Sequence, residues 1–167
     1  MPHPKVSILM GSDSDADRLM DCFGQLKALG IPFEARVRSA HRTPAALVEY
    51  LDEAEANGVQ VFLCAAGGAA HLAGVVASHT LKPVIGIPMD NPPFGGLDAL
   101  LATVQMPAGI PVPTVAVGGG GPVNAALTAA RILALADPEL AERLVAFRQA
   151  MADKVAAMDA KLQARFQ

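Results

Sequence analysis

The chain has 167 residues, of which 52 % are hydrophobic and only 17 % charged, and its formal net charge at pH 7 is −3. This length predicts one domain with a sizeable core, and the acidic balance with scattered basic residues excludes a nucleic-acid-binding protein. The long uncharged stretches are broken by Gly, Pro and His, which makes them poor membrane spans. Cys22 and Cys64 lack metal-ligand spacing, so we expect two buried, reduced thiols in a cytoplasmic protein without a signal peptide.

Strand and helix signals alternate along the chain. Short apolar runs predict five strands, at residues 6–10, 33–37, 59–65, 84–87 and 114–117. Periodic apolar positions and helix-stop residues predict helices at 16–29, 44–56, from the Gly67-Gly68 turn to about residue 79, and at 122–136. Such alternation predicts a three-layer α/β fold, a doubly wound parallel sheet of the flavodoxin-like type. Ligands of these folds bind beyond the C-terminal ends of the strands, near the topological switch point.

A last helix is predicted at residues 137–165, capped by Asp137 and Pro138. Its apolar residues recur every three or four positions in one stripe: Leu140, Leu144, Phe147, Met151, Val155, Met158 and Leu162. We expect this stripe to pack on a neighbouring subunit. The alternative is that its first half packs on its own domain and the rest frays. We therefore predict a single domain over 1–167, with a core at 5–136 and an oligomerisation helix at 137–165.

One segment combines an anion site with a proton carrier. In Ser39-Ala40-His41-Arg42-Thr43-Pro44, Thr43 suits the N-cap and Pro44 the first helical position, so a helix begins beside a fixed cation and an imidazole. Helix N-termini and arginine bind anions, and histidine exchanges protons near neutral pH. The pattern predicts an enzyme acting on a phosphorylated small molecule. The ordinary alternatives are a structural loop histidine and a surface ion pair for Arg42.

Two further turns follow predicted strands. Gly11-Ser12-Asp13-Ser14-Asp15 offers hydroxyls beside a helix start, and Asp15 suits ribose hydroxyls, although ordinary helix capping explains the same residues. The small residues of 66–74 allow a ligand to approach the backbone closely. Within this segment His71 suits a carboxylate or a base ring, or else bridges backbone groups. The loop 105–111 has no titratable group and suits the shaping of a pocket.

These segments together have a recognisable order. Gly-Ser-Asp-Ser-Asp, Ser-Ala-His-Arg-Thr-Pro, Ala-Gly-Gly-Ala-Ala-His-Leu, Gln-Met-Pro-Ala-Gly-Ile-Pro and Asn-Ala-Ala-Leu resemble the N5-carboxyaminoimidazole ribonucleotide mutase family of purine biosynthesis. The resemblance runs from about residue 6 to residue 135. It implies a cytoplasmic, flavodoxin-like homo-octamer whose C-terminal helices interlock. It also implies carboxylate migration from the exocyclic nitrogen to ring carbon 4, without metal, biotin or ATP, and functional coupling to the ATP-dependent N5-carboxyaminoimidazole ribonucleotide synthase.

The resemblance also implies the site residues. The family's catalytic histidine corresponds to His41, and its ligand-binding serine, aspartate and arginine correspond to Ser12, Asp15 and Arg42. The full predicted substrate-binding set is Ser12, Ser14, Asp15, Ser39, Ala40, Arg42, Gly67, Gly68, Ala70, His71 and Leu72. No cofactor or metal residue is predicted.

The sequence departs from the family pattern at Ala73, at 89–94 and at Pro113, which affects loop rigidity rather than the chemistry. Three rival functions stay open. One is an aminoimidazole ribonucleotide carboxylase using free CO2, although Arg42 and the 67–72 motif favour the mutase. Another is a non-catalytic, flavodoxin-like nucleotide-binding protein, and the last is an oligomeric scaffold with a degenerate site.

Overall fold

The computed structural model describes residues 3–166 and contains a parallel sheet of four strands in the order β2-β1-β3-β4. The strands are β1 (Val6–Met10), β2 (Phe33–Val37), β3 (Val61–Ala66) and β4 (Val84–Pro88). β1, β3 and β4 are buried along nearly their whole length, whereas β2 forms an edge and is largely exposed, as its less apolar composition predicts. With helices on both sides of this sheet, the predicted doubly wound α/β fold is confirmed.

The helices follow the strands in the predicted alternation. They are α1 (Met20–Ala28), α2 (Pro44–Ala56), α3 (Leu72–His79), α4 (Leu97–Val104), α5 (Gly121–Leu133) and α6 (Pro138–Gln163). The predicted first helix starts later than residue 16, because two short 3-10 turns, Asp13–Asp15 and Asp17–Leu19, precede it. Helix α4 was not predicted, although its apolar residues recur at helical spacing.

The predicted fifth strand at 114–117 is wrong. Only an isolated parallel bridge joins Thr114 to Gly86, with Gly86 donating to the Pro113 carbonyl at 2.9 Å and Val115 donating to the Gly86 carbonyl at 3.1 Å. Pro113 has no N–H to extend the ladder before this bridge. After it, the N–H that donates to the Pro88 carbonyl, at 3.3 Å, belongs to Gly118 rather than to Val117, so the register is lost. An apolar run between such residues pairs over a single residue.

A hydrophobic core cluster lies on one face of the sheet. Leu9, Phe62 and Cys64 of the sheet cluster there with buried residues of α2 and α3. Both cysteines are buried and unpaired, as predicted, and burial raises the pKa of Cys22 to about 12 and that of Cys64 further. Across residues 3–166, no helix has the length and apolar character needed to cross a membrane.

The chain divides into two compact units, the first ending at Ala129 and the second beginning at Ala130. In the second unit, Asp137 caps α6 by accepting from the Leu140 N–H at 3.0 Å, as predicted. Helix α6 runs unbroken from Pro138 to Gln163. Leu140 is buried, whereas the later residues of the stripe are each about half exposed: Met151, Val155, Met158 and Leu162. The distal half of the stripe is an uncovered apolar surface.

Candidate active site

The loops after all four strands meet at one cavity of about 360 Å³ in the first unit. The C-terminal ends of parallel strands share one edge of the sheet, and the order 2-1-3-4 reverses direction at β1, which pairs with both β2 and β3. The cavity therefore lies at the predicted switch point. Its lining residues are Gly11, Ser12, Ser14, Asp15, Ser39, Ala40, His41, Arg42, Ala66, Gly67, Ala69, His71, Leu72 and Asn91.

Two histidines meet in this cavity. The Nε2 atom of His41 lies 2.8 Å from the Nδ1 atom of His71, and the rings contact each other edge to face. His41 follows β2 and His71 follows β3, so the hydrogen bond joins loops from strands on opposite sides of β1. Both side chains are exposed in the chain, and a ligand in the cavity has access to them.

Arg42 is held against the turn that follows β1. Its guanidinium donates to the Gly11 carbonyl at 2.7 Å, and its backbone N–H donates to the Ser39 Oγ at 3.1 Å. No carboxylate of residues 3–166 forms an ion pair with Arg42, so its charge is available to an anion. Pro44 begins α2 as predicted, but the Thr43 hydroxyl does not cap it, because this hydroxyl donates to the Ser39 carbonyl at 3.2 Å.

The turn after β1 carries hydroxyls and one buried carboxyl group. Ser12 Oγ accepts from the Ser14 N–H at 3.3 Å and from the Ser14 hydroxyl at 2.9 Å, so Ser12 does cap the first 3-10 turn. Asp15 is 8 % exposed. Burial raises the pKa of the Asp15 carboxyl, and the positive charge of Arg18 offsets part of that rise. The carboxylate is thus poorly solvated and suited to accept hydrogen bonds from a ligand.

The turn after β3 supplies the narrow part of the cavity. Gly67 lies under the Asn91 side chain so closely that a Cβ atom at this position would collide with the amide. Two predicted site residues, Gly68 and Ala70, do not line the cavity. Gly68 instead has the positive φ, 62°, that the turn requires, and Ala70 is buried. The other predicted site residues all line it.

The remaining predicted segments lie elsewhere in the first unit. Part of the 105–111 loop lines a second cavity of about 720 Å³, beside the residues that precede β4. Gly118 packs against the Asp90 side chain, where a Cβ atom would be 2.9 Å from Asp90 Cγ. No group of three or more His, Cys, Asp and Glu in residues 3–166 is arranged to hold a metal ion.

Comparisons with known proteins identify the family of the chain. The family model for AIR carboxylase matches residues 5–154. The chain belongs to the AIR carboxylase family. The N5-carboxyaminoimidazole ribonucleotide mutase of Mycobacterium tuberculosis (strain H37Rv) is 51 % identical over 160 residues, which is 96 % of this chain and 91 % of that protein. The enzyme of the same name from Saccharolobus solfataricus is 49 % identical over 91 % of this chain and 95 % of its own length.

A solved structure supports the fold of this AIR carboxylase family member. The crystal structure of Treponema denticola PurE superposes with a TM-score of 0.87 at 35 % identity, covering 95 % of this chain and 98 % of that one. Four lining residues were absent from the predicted set, and three of them, Gly11, Ala66 and Ala69, lie in the predicted turns. The fourth is Asn91. It lies in the 89–94 segment that departs from the family pattern, and no local motif distinguishes it from an ordinary loop asparagine.

Proposed function

We propose that the chain is an N5-carboxyaminoimidazole ribonucleotide mutase, an isomerase of purine biosynthesis that moves a carboxylate from the exocyclic nitrogen to ring carbon 4. The observation that carries the proposal is the His41 imidazole, which shares one cavity with the Arg42 guanidinium and the Asp15 carboxyl. A proton carrier, an anion ligand and a hydroxyl ligand thus lie together. Mutases about half identical over most of the chain support the same activity.

Substrate binding uses the side of the cavity formed after β1 and β2. The phosphate binds Arg42, the hydroxyls of Ser12 and Ser14, and backbone N–H groups at the start of α2. Asp15 accepts from the ribose hydroxyls. These contacts lie away from the reacting atoms, so their binding energy positions the imidazole ring of the substrate beside His41.

The first chemical step breaks the carbamate. Protonated His41 donates its proton to the exocyclic nitrogen, the nitrogen–carbon bond breaks, and its electron pair stays on nitrogen. The products are CO2, aminoimidazole ribonucleotide and neutral His41. A general acid of this kind contributes about 10² to 10⁴ in rate.

The second step forms the new bond from the same atoms. Carbon 4 attacks CO2 with a π-electron pair of the ring, and the tetrahedral carbon that results carries both hydrogen and carboxylate. Neutral His41 removes this hydrogen as a proton, which restores the aromatic ring and returns His41 to its starting state. The small residues Ala66, Gly67 and Ala69 leave CO2 space beside carbon 4, so the attack is effectively intramolecular.

An isotope experiment tests the proposal. Substrate carrying ¹³C in its carboxylate is converted in excess unlabelled bicarbonate, and the product is analysed by mass spectrometry. We expect the label to be retained. Unlabelled carboxylate in the product would instead indicate a carboxylase that uses free CO2, and binding of the nucleotide without turnover would indicate a binding protein.

Assembly, partners and location belong to the same proposal. The exposed apolar stripe of α6 supports a homo-oligomer, and the family resemblance specifies an octamer. In this proposal residues 1–167 are one domain, and its helix α6 packs between subunits of the assembly. A cytoplasmic location and coupling to the ATP-dependent synthase that makes the unstable carbamate follow from the reaction. Light scattering of the purified protein tests the octamer directly.

A further inference from the structure

An arginine outside the motifs ties down the loop after β4. One guanidinium nitrogen of Arg18, Nη1, donates to Asp90 Oδ1 at 3.0 Å and to Asn91 Oδ1 at 2.6 Å. Arg18 precedes α1, so this contact joins segments more than seventy positions apart in sequence. Arg18 and Asp90 have side chains that are 44 % and 53 % exposed, and a surface ion pair of this kind contributes little to stability. Its main effect is to fix the position of Asn91.

The contact also decides which way the Asn91 amide faces. Arginine only donates hydrogen bonds, so the atom that faces Arg18 is the amide oxygen. The amide nitrogen, Nδ2, is therefore on the opposite side, where it lies over Gly67 and would collide with any Cβ atom there. Asn91 thus presents an NH2 group to the narrow part of the cavity.

This NH2 group is free to bind a ligand. Asn91 lines the cavity, and within residues 3–166 its Nδ2 donates no hydrogen bond. The cavity is polar at this end, because His41 and His71 meet beside the same Gly67 turn. The two unused N–H groups of the Asn91 amide here suit a ligand atom that only accepts hydrogen bonds.

The position of Asn91 in the sheet indicates which ligand group it meets. Arg42 and Ser12 follow β2 and β1, whereas Gly67 and Asn91 follow β3 and β4. Neighbouring strands lie about 4.8 Å apart, and β2 and β4 are three spacings apart in the order β2-β1-β3-β4, so Arg42 and Asn91 follow strands on opposite edges of the sheet. The proposed phosphate site is at one end. The His41 ring reaches from the β2 side to His71 in the turn after β3, so the group that reacts lies towards the other end.

We propose that Asn91 Nδ2 donates to an oxygen of the migrating carboxylate and of the CO2 formed from it, and that Arg18 is the positioning residue that orients this amide. The inference rests on the proposed function. A neutral amide suits both species, because it hydrogen-bonds a carboxylate without the full charge of a cation that would resist its release as CO2.

The test compares Asn91→Asp with Asn91→Ala. Aspartate keeps an oxygen for Arg18 and the shape of the side chain, but it replaces the NH2 donor with a carboxylate oxygen that repels the substrate carboxylate. We expect kcat/KM to fall about a hundredfold in Asn91→Asp and about tenfold in Asn91→Ala, the loss of a hydrogen bond to a charged group. Affinity for aminoimidazole ribonucleotide, which has no carboxylate, should change less than about twofold in either variant.

A loop-anchoring role gives the reverse order and would overturn the proposal. Asn91→Asp would then have the activity of the wild type, because its contact with Arg18 is retained, and Asn91→Ala would be the impaired variant. Arg18→Met adds a third measurement. We expect it to lower kcat/KM more in the wild type than in Asn91→Asp, which has already lost the amide donor, whereas its effect through Asp15 should be the same in both. A cooperative thermal unfolding transition shows whether each variant is folded.

The proposed function fails separately. Wild-type protein without carboxylate transfer would overturn the mutase assignment and this inference with it. Normal transfer by the wild type, with Asn91→Asp equally active, would overturn only the role of Asn91.

Discussion

The Nε2 atom of His41 and the Nδ1 atom of His71 are 2.8 Å apart, a hydrogen bond between two ring nitrogens. Such a bond needs one N–H and one lone pair, so a single proton lies between the rings. His71 therefore orients the His41 ring and couples the tautomers of the two rings, since one of the facing nitrogens must donate and the other accept. A histidine that donates a proton and then recovers it benefits from a neighbour that holds it in one orientation.

His41→Asn should abolish nearly all turnover while preserving the fold and nucleotide binding. Asparagine cannot donate and then accept a proton near neutral pH, so we expect kcat to fall by about 10² to 10⁴. His41 is exposed, so its replacement should leave the unfolding temperature nearly unchanged. Rate assays and titration with aminoimidazole ribonucleotide measure both effects. The matched control is His79→Asn, an exposed histidine at the end of α3, and a His41 variant as active as this control would remove His41 from the mechanism.

His71→Leu should lower kcat more than it raises KM, because His71 acts on the orientation of His41 rather than on substrate affinity. We expect a loss of about tenfold, the effect of one hydrogen bond. His71→Asn, whose side chain can still bond the His41 ring, should recover part of the activity. The dependence of kcat on pH should also change in the leucine variant and return towards the wild type in the asparagine variant. If KM changed as much as kcat in both the leucine and the asparagine variant, His71 would instead contact the substrate.

The alternation of strands and helices could be predicted from sequence because β1, β3 and β4 are short apolar runs and glycines follow α1 and α2. Hydrophobic pattern failed for the fifth strand, where proline and glycine limit pairing to one bridge. The loops after β1, β2 and β3 that line the cavity could be predicted because glycine, serine and helix starts are local signals. Asn91 was missed because its role depends on Arg18, a contact between residues 73 positions apart that no local pattern encodes.

Arg42→Ala should raise KM with little change in kcat. Arg42 is bonded to Gly11 at the phosphate end of the proposed site, and losing a charge-assisted hydrogen bond should weaken binding about ten- to a hundredfold. Arg42→Lys keeps the charge without the planar fork and should be intermediate. Steady-state kinetics at two salt concentrations measure this, since salt should raise KM more in the wild type than in Arg42→Ala. Arg36→Ala, which removes an exposed arginine on β2, is the control and should not change KM.

Asp15→Asn should stabilise the protein and weaken its binding of nucleotide. Burial raises the carboxyl pKa in the folded state, so the folded protein holds this proton more tightly than the unfolded chain. Ionisation therefore costs stability as the pH rises through the folded-state pKa, and this cost disappears as the pH falls towards 3.8. We expect the variant to unfold at a higher temperature at pH 7, with the difference shrinking near pH 4. Calorimetry at both pH values measures it.

The same Asp15→Asn protein should bind aminoimidazole ribonucleotide about tenfold more weakly, because a neutral amide is a poorer acceptor for ribose hydroxyls than a carboxylate. Asp17→Asn, at a neighbouring exposed position, serves as the control for both measurements. A higher unfolding temperature combined with unchanged nucleotide affinity would exclude Asp15 from substrate binding.

Charges on the apolar stripe of α6 should dissociate the proposed oligomer. Val155 and Met158 are 60 % and 54 % exposed, and covering the exposed half of such side chains in an interface contributes about 1–1.5 kcal/mol each. In the double variant Val155→Glu/Met158→Glu, a subunit interface would have to bury two unpaired carboxylates. We expect light scattering to give a smaller mass at micromolar concentration. Ala160→Glu lies on the opposite side of the helix from this stripe and should leave the assembly intact. If the double variant and this control had the same mass as the wild type, the stripe would not be a subunit interface.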